Sequence, residues 1–198
     1  PDVDERWCLI HCTHVTDSEV FGLAERGAVA GLCPATEANL GDGIFPAEDF
    51  LQAAGRFGIG SDSHISVSPV EALRLLEYGE RLTLRRRNVL SDPQLDGSTG
   101  ATLLDRALQG GAQALARPIG RLAPGCRADL LVLDTTAPPL SDLPAQRIPD
   151  AFVFAGNRSA VRDVFVGGEQ VVERGRHRHE DRVLAAYRTA LADLLAAA

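Results

Sequence analysis

Three short apolar runs, each stopping at a polar cluster and each separated from the next by a stretch long enough for a helix, constrain this chain more than any other feature. The first is Trp7-Cys8-Leu9-Ile10, which stops at His11-Cys12-Thr13-His14. The second spans Ala28 to Cys33, and the third runs from Phe57 to Gly60 and ends at Ser61-Asp62-Ser63-His64. Unalternating runs of this length fit strands covered on both faces. Between the first two, Thr16 or Asp17 can cap a helix through Arg26, with Glu19 in its first turn and Gly27 closing it. The stretch from Pro34 to Gly43, rich in Pro, Thr, Asn and Gly, reads as irregular, and a helix is predicted from about Ala47 to Ala54. Strands alternating with helices imply parallel pairing. Ligands of such sheets gather beyond the C-terminal strand ends. That rule singles out His11, His14, the Glu37/Asn39 loop, Asp62 and His64.

Downstream, Pro69 suits the first turn of an amphipathic helix reaching about Arg87, and Leu103, Leu104, Ala107 and Leu108 mark another from about Ala101 to Ala116. The character then changes. Leu130-Leu131-Val132-Leu133 reads as a strand, Val161 to Val172 as two strands joined at Gly167-Gly168, and Glu180 to Ala196 as a helix rich in Ala and Leu. The expected division is 1–117, 118–176 and 177–198. Because the chain starts at Pro1 and a strand-like run follows within ten residues, it is expected to begin inside a domain.

Composition removes several functions. All twenty basic residues are arginine, so chemistry that needs a Schiff-base or P-loop lysine is ruled out. A formal charge of −7 without a long basic run argues against nucleic acid as a partner. Arg85, Arg86 and Arg87 are read as a solvated helix face or a carboxylate clamp. The four cysteines form no CxxC pair and no disulfide framework, which fits a reducing cytoplasm. No apolar run approaches the roughly 20 residues needed to cross a bilayer, so no membrane association is expected. HExxH, GxSxG, GxGxxG and P-loop motifs are missing as well.

The strand-end residues have chemistry to offer. A carboxylate at Asp62 can hold a metal and accept a proton from water, although capping the next turn is an equally ordinary use for it. An imidazole at His11 can ligate zinc, shuttle a proton or polarise a bond, while His14 reads more simply as the start of a loop. His177 and His179 form an HxH pair, but their polar setting indicates solvated surface.

Taken together, Ile10-His11-Cys12-Thr13-His14, Thr16-Asp17-Ser18-Glu19, Cys33-Pro34 with Asn39-Leu40, and Gly60-Ser61-Asp62-Ser63 resemble the amidohydrolase superfamily. Ile119-Gly120, the run Pro124 to Leu130 and Asp163 to Gly168 are similar to the same family's return into its second lobe. The resemblance implies the C-terminal part of a TIM-like (β/α)8 metal-dependent hydrolase barrel plus part of a small β-sandwich lobe. Ala35 to Pro46, Ser66-Val67-Ser68 and Leu76 to Leu82 resemble the branch that deiminates formimidoylglutamate. That branch implies hydrolysis of an amidine to formylglutamate and ammonia, a step in histidine breakdown.

The resemblance gives Asp62 as metal ligand and proton carrier and His11 as the histidine beside the attacking water. His64, Glu37 and Asn39 are expected to contact the small-molecule substrate. The implied cofactor is one divalent metal, zinc favoured, with its remaining ligands expected upstream of Pro1. The family's HxH and strand-five histidine have no counterpart here, so this segment alone is expected neither to hold metal tightly nor to turn over substrate. Two other readings remain open. One is an aminohydrolase acting on a purine, pterin or cytosine-like ring. The other is a non-catalytic half-barrel whose open sheet edge leads it to pair, as a homodimer or with a partner.

Overall fold

The computed structural model describes residues 2–156 and 159–197. Its first layer is a three-stranded parallel sheet in the order β1-β2-β3, made of β1 (Cys8–Ile10), β2 (Val29–Leu32) and β3 (Arg56–Ile59). The register aligns Ile10 with Gly31 and Leu32 with Ile59, so all three strands stop at one rim. Gly31 leaves room for the side chains of β1 beside it. A Cβ there would lie 2.7 Å from Ile10 Cδ1 and 2.9 Å from Cys8 Sγ.

Helix α1 (Asp17–Glu25) follows β1 and starts as the sequence predicts, at a capping box in which Thr16 and Glu19 satisfy each other's backbone N–H groups. Its buried Val20 and Leu23 join Ala30 and Leu32 of β2 and Phe57 of β3 in one core. The stretch after β2 departs from expectation. Instead of an irregular loop, Pro34–Leu40 forms α2, with Pro34 in its first turn and Gly41 closing it at φ 70°. Helix α3 (Ala47–Gln52) places Phe50 in the core, edge-on to Phe45 with ring centroids 5.2 Å apart.

Helices α4 (Pro69–Leu84) and α5 (Thr99–Ala114) cover the sheet and bury Leu73, Leu76 and Leu103. Ser68 and Ser98 cap them through Glu71 N–H and Ala101 N–H. Glu77, buried in α4, accepts Arg81 Nε–H at 2.6 Å and the backbone N–H groups of Val89 and Leu90, both at 3.0 Å. It thereby ties the chain after α4 back to the helix. Arg86 of the arginine triplet pairs with Glu48, the clamp alternative for that run.

The second layer is an antiparallel sheet of β4 (Leu130–Leu133), β5 (Val161–Val166), β6 (Glu169–Glu173) and β7 (Arg176–His177), in that order. Gly167 and Gly168, at φ 61° and 84°, make the turn between β5 and β6. The sequence points to part of a sandwich lobe, and the described residues of that region form this one four-stranded sheet. Strand β7 and helix α6 (Ile148–Phe154) go unseen in the sequence pattern. Val153 of α6 is fully buried in the first layer's core, so the chain returns to that layer between β4 and β5. Helix α7 (Glu180–Ala196) closes the chain with the bounds its composition predicts and buries none of its residues. No helix among the described residues is long and apolar enough to cross a membrane.

Candidate active site

His11, Glu37 and Asp62 meet at the rim where β1, β2 and β3 stop. His11 continues β1, and its backbone N–H donates to Gly31 O at 2.8 Å, so the sheet's own bonding carries it to the edge. There the backbone turns left-handed, with φ 68° at His11 and 53° at Cys12. Asp62, past the end of β3, is left-handed too at φ 44°, as is His64 at 56°. Such conformations cost non-glycine residues about 1–2 kcal/mol each. Strain of this kind concentrates where side chains are aimed for use.

His11 Nδ1 stands 3.2 Å from Glu37 Oε1, and Nε2 stands 3.9 Å from Asp62 Oδ2. Glu37 is only 4% exposed, and the same Oε1 accepts the Cys33 backbone N–H at 2.8 Å, across the first turn of α2. Thr36, its neighbour in α2, reaches the other side of the site. Its hydroxyl lies 3.3 Å from Ser61 O and 3.0 Å from Ser63 Oγ, and it accepts Ser63 N–H at 3.3 Å. The two residues flanking Asp62 are therefore held by one buried hydroxyl. Neither Thr36 nor Cys33 stands out in the sequence as a site residue, because both lie within or beside what reads as a loop.

The other expected site residues sit further out. Asn39 is exposed near the end of α2, and His64 is exposed in the turn after Asp62, where its backbone N–H donates to Ser61 O at 3.2 Å. Neither side chain is hydrogen-bonded to His11, Glu37 or Asp62 among the described residues. His14 is exposed, as expected for a loop start. His177 and His179 lie on the second sheet's side with ring centroids 5.5 Å apart, exposed and away from this rim.

A divalent metal fits the Asp62 end of the group. Among the described residues no donor is hydrogen-bonded to its carboxylate, and His11 Nε2 stands 3.9 Å from it. A carboxylate without a donor of its own is free to bind such an ion. Ligating atoms of His11, Cys33 and Glu37 also lie within 4.8 Å of one another. There, however, Glu37 Oε1 is already engaged by His11 Nδ1 and Cys33 N–H, and burial pushes the Cys33 thiol up, with the Glu37 charge adding to the effect. Burial likewise raises the thiols of Cys8 and Cys12. Burial thus disfavours the thiolate form at each of these cysteines.

Residues 2–171 match the sequence profile described as the amidohydrolase family. The chain is 55% identical over 196 residues to the formimidoylglutamate deiminase of Pseudomonas aeruginosa, covering 98% of this chain and 42% of that protein. It is 31% identical over 180 residues to a 5-methylthioadenosine/S-adenosylhomocysteine deaminase of Natronomonas pharaonis, covering 86% and 38%. Among solved structures, an amidohydrolase from Brucella melitensis superposes with a TM-score of 0.90 at 47% identity, covering 98% of this chain and 42% of that one. An adenosine deaminase from Xanthomonas campestris with bound zinc shares the fold, with a TM-score of 0.83 at 24% identity over 99% of this chain and 44% of that one. The chain thus spans less than half the length of the relatives it matches.

Proposed function

This chain belongs to the amidohydrolase family, and from that premise we propose that it supplies the acid–base rim of a metal-dependent deiminase acting on N-formimidoyl-L-glutamate. The observation that carries the reading is the approach of His11 Nε2 to Asp62 Oδ2, 3.9 Å apart on one rim of a parallel sheet. The choice of substrate is supported by the 55% identity to a formimidoylglutamate deiminase against 31% for a relative that deaminates a purine compound.

In the reaction proposed, water oxygen bonds to the formimidoyl carbon, the bond to its terminal nitrogen breaks, and formylglutamate and ammonia leave. Asp62, facing solvent on one side and His11 on the other, takes a proton from the attacking water and delivers it to the terminal nitrogen, then carries the adduct's remaining hydroxyl proton to the same nitrogen as the C–N bond breaks and the formyl C=O forms. His11 Nε2, beside the attacking water, accepts a hydrogen bond from it and so aims its oxygen at the formimidoyl carbon. Asp62 would be the family's metal ligand on this chain, the other ligands coming from residues outside it. A divalent metal held there, zinc by our reading, would supply an activated water and polarise the bond under attack. The exposure of Asn39 and His64 supports a contact of these two with the outer part of the substrate. The second sheet completes a small sandwich with strands from elsewhere in the whole protein.

The test uses the natural polypeptide carrying this chain, expressed in full. Ammonia release is measured with formimidoylglutamate, 5′-methylthioadenosine and S-adenosylhomocysteine, before and after chelation and zinc return, and with Asp62→Asn. Turnover of formimidoylglutamate that needs metal and falls by about 10³-fold in Asp62→Asn, within the usual range for a lost proton carrier, supports the reading. Preference for the heterocycles overturns it.

A further inference from the structure

We propose that Glu37 is the positioning residue of His11: it holds the imidazole in the tautomer protonated on Nδ1, so that Nε2 is presented unprotonated toward Asp62 and the substrate. The proposal rests on the reading of His11 as an acid–base group, and it gives Glu37 a different task from the substrate contact that its sequence position suggests.

Geometry carries the argument. A histidine at a strand end, already in left-handed backbone, has nothing in its local chain to fix its ring, and either nitrogen of a neutral imidazole can hold the proton. Glu37 removes that freedom. Its Oε1 lies 3.2 Å from Nδ1 and accepts the Cys33 N–H at 2.8 Å, so the oxygen is locked to the start of α2 before the ring reaches it. An ionised carboxylate only accepts hydrogen bonds. The ring nitrogen facing it must therefore donate. In the neutral ring the opposite nitrogen, 3.9 Å from Asp62 Oδ2, then keeps its lone pair toward the site. Burial adds persistence, because Glu37 is shielded from competing water while His11 is partly open on its other side.

The helix explains why the arrangement is stiff. Thr36 and Glu37 are consecutive residues of α2. One braces the backbone on both sides of Asp62, and the other holds the ring of His11. Direct substrate binding by Glu37 would have to use Oε2 alone, since Oε1 is committed.

The full natural polypeptide is labelled with ¹⁵N in its histidine rings, and His11→Gln assigns the His11 signals. The expected spectrum has a protonated-type Nδ1 and an unprotonated-type Nε2 for His11 in the unaltered protein and in Glu37→Gln, whose side-chain oxygen still accepts. In Glu37→Leu the ring moves toward the other tautomer or a mixture. Kinetically, Glu37→Leu loses about 10- to 100-fold in kcat, as for other residues that orient an active imidazole, with KM within about twofold, and Glu37→Gln restores most of the loss. A His11 ring protonated on Nε2 in the unaltered protein overturns the proposal, and that result needs no variant to fold. So does a large rise in KM with kcat retained in both variants, the signature of charge-based substrate binding. If the unaltered enzyme releases no ammonia from formimidoylglutamate, the functional reading falls while the ring spectrum still decides the role of Glu37.

Discussion

Gly110 and Gly111, adjacent near the C-terminal end of α5, provide a test in which local propensity and tertiary contact give opposite signs. Glycine inside a helix costs about 1 kcal/mol relative to alanine, so helix propensity alone says that either substitution stabilises. The packing divides them. An added Cβ at Gly110 would stand 1.9 Å from the Phe57 carbonyl oxygen and 2.4 Å from its carbon, whereas one at Gly111 meets nothing within 4 Å. Ordinary contact needs about 3.5 Å, so Gly110→Ala requires α5 and β3 to separate by about 1.5 Å. Both partners are backbone and cannot swing aside. Overpacking of this kind costs about 3 kcal/mol, at the top of the usual range, and the gain in propensity offsets about 1 kcal/mol of it.

The net loss is about 2 kcal/mol, or about 4–8 °C in Tm for a domain of this size, while Gly111→Ala raises Tm by about 2–4 °C. Thermal and urea denaturation of the two variants beside the parent measures both numbers. The reasoning is refuted if Gly110→Ala is as stable as the parent, or if Gly111→Ala is the more damaging of the two. Because β3 leads into Asp62, the first variant should also lose activity before it loses its fold.

Thr36→Val keeps the side chain's shape but removes the hydroxyl that brackets Asp62. About 1.4 kcal/mol of lost positioning, a typical hydrogen-bond value, lowers kcat about tenfold, and Thr36→Ser, read in the same ammonia assay, retains most of it. Glu77→Gln replaces an acceptor of three hydrogen bonds with a side chain that is half donor, and urea titration should register a loss of about 3 kcal/mol. At Glu80, burial and then the nearby Glu48 and Asp49 charges raise the carboxyl's pKa, against the opposing N–H bonds from Glu48 and Ala47. The folded state therefore holds this proton more tightly than the unfolded chain. That contribution to stability is fully present below about pH 4.3, the ordinary glutamate value, and is lost as pH rises through the raised folded one. Glu80→Gln removes this slope, so its urea midpoint measured from pH 4 to pH 7 should gain on the parent as pH rises, and an unchanged pH profile would contradict the assignment.

The sequence settles what depends on neighbours within a turn or two. Thr16 and Glu19 fix the start of α1, Pro69 and Ser68 the start of α4, and Gly167-Gly168 the hairpin, because caps and turns act over two to four residues. The apolar runs give three strands and their parallel order, and the rule that ligands collect at C-terminal strand ends finds His11 and Asp62, 51 residues apart. Helix α2 escaped that reading. Its Pro, Thr and Asn residues favour loops when judged alone, and what secures the helix is a buried carboxylate that bonds its first N–H and a histidine from another strand. Helix α6 is missed for the same reason, since Val153 gains its value only against α4 and α5. Which nitrogen of His11 faces Asp62, and that Glu37 and Thr36 stand behind the two, follow from strand register and from the packing of α2 over the rim. Those are contacts between residues 25 to 51 positions apart. No periodicity encodes them, because they exist only once the sheet has brought its ends together.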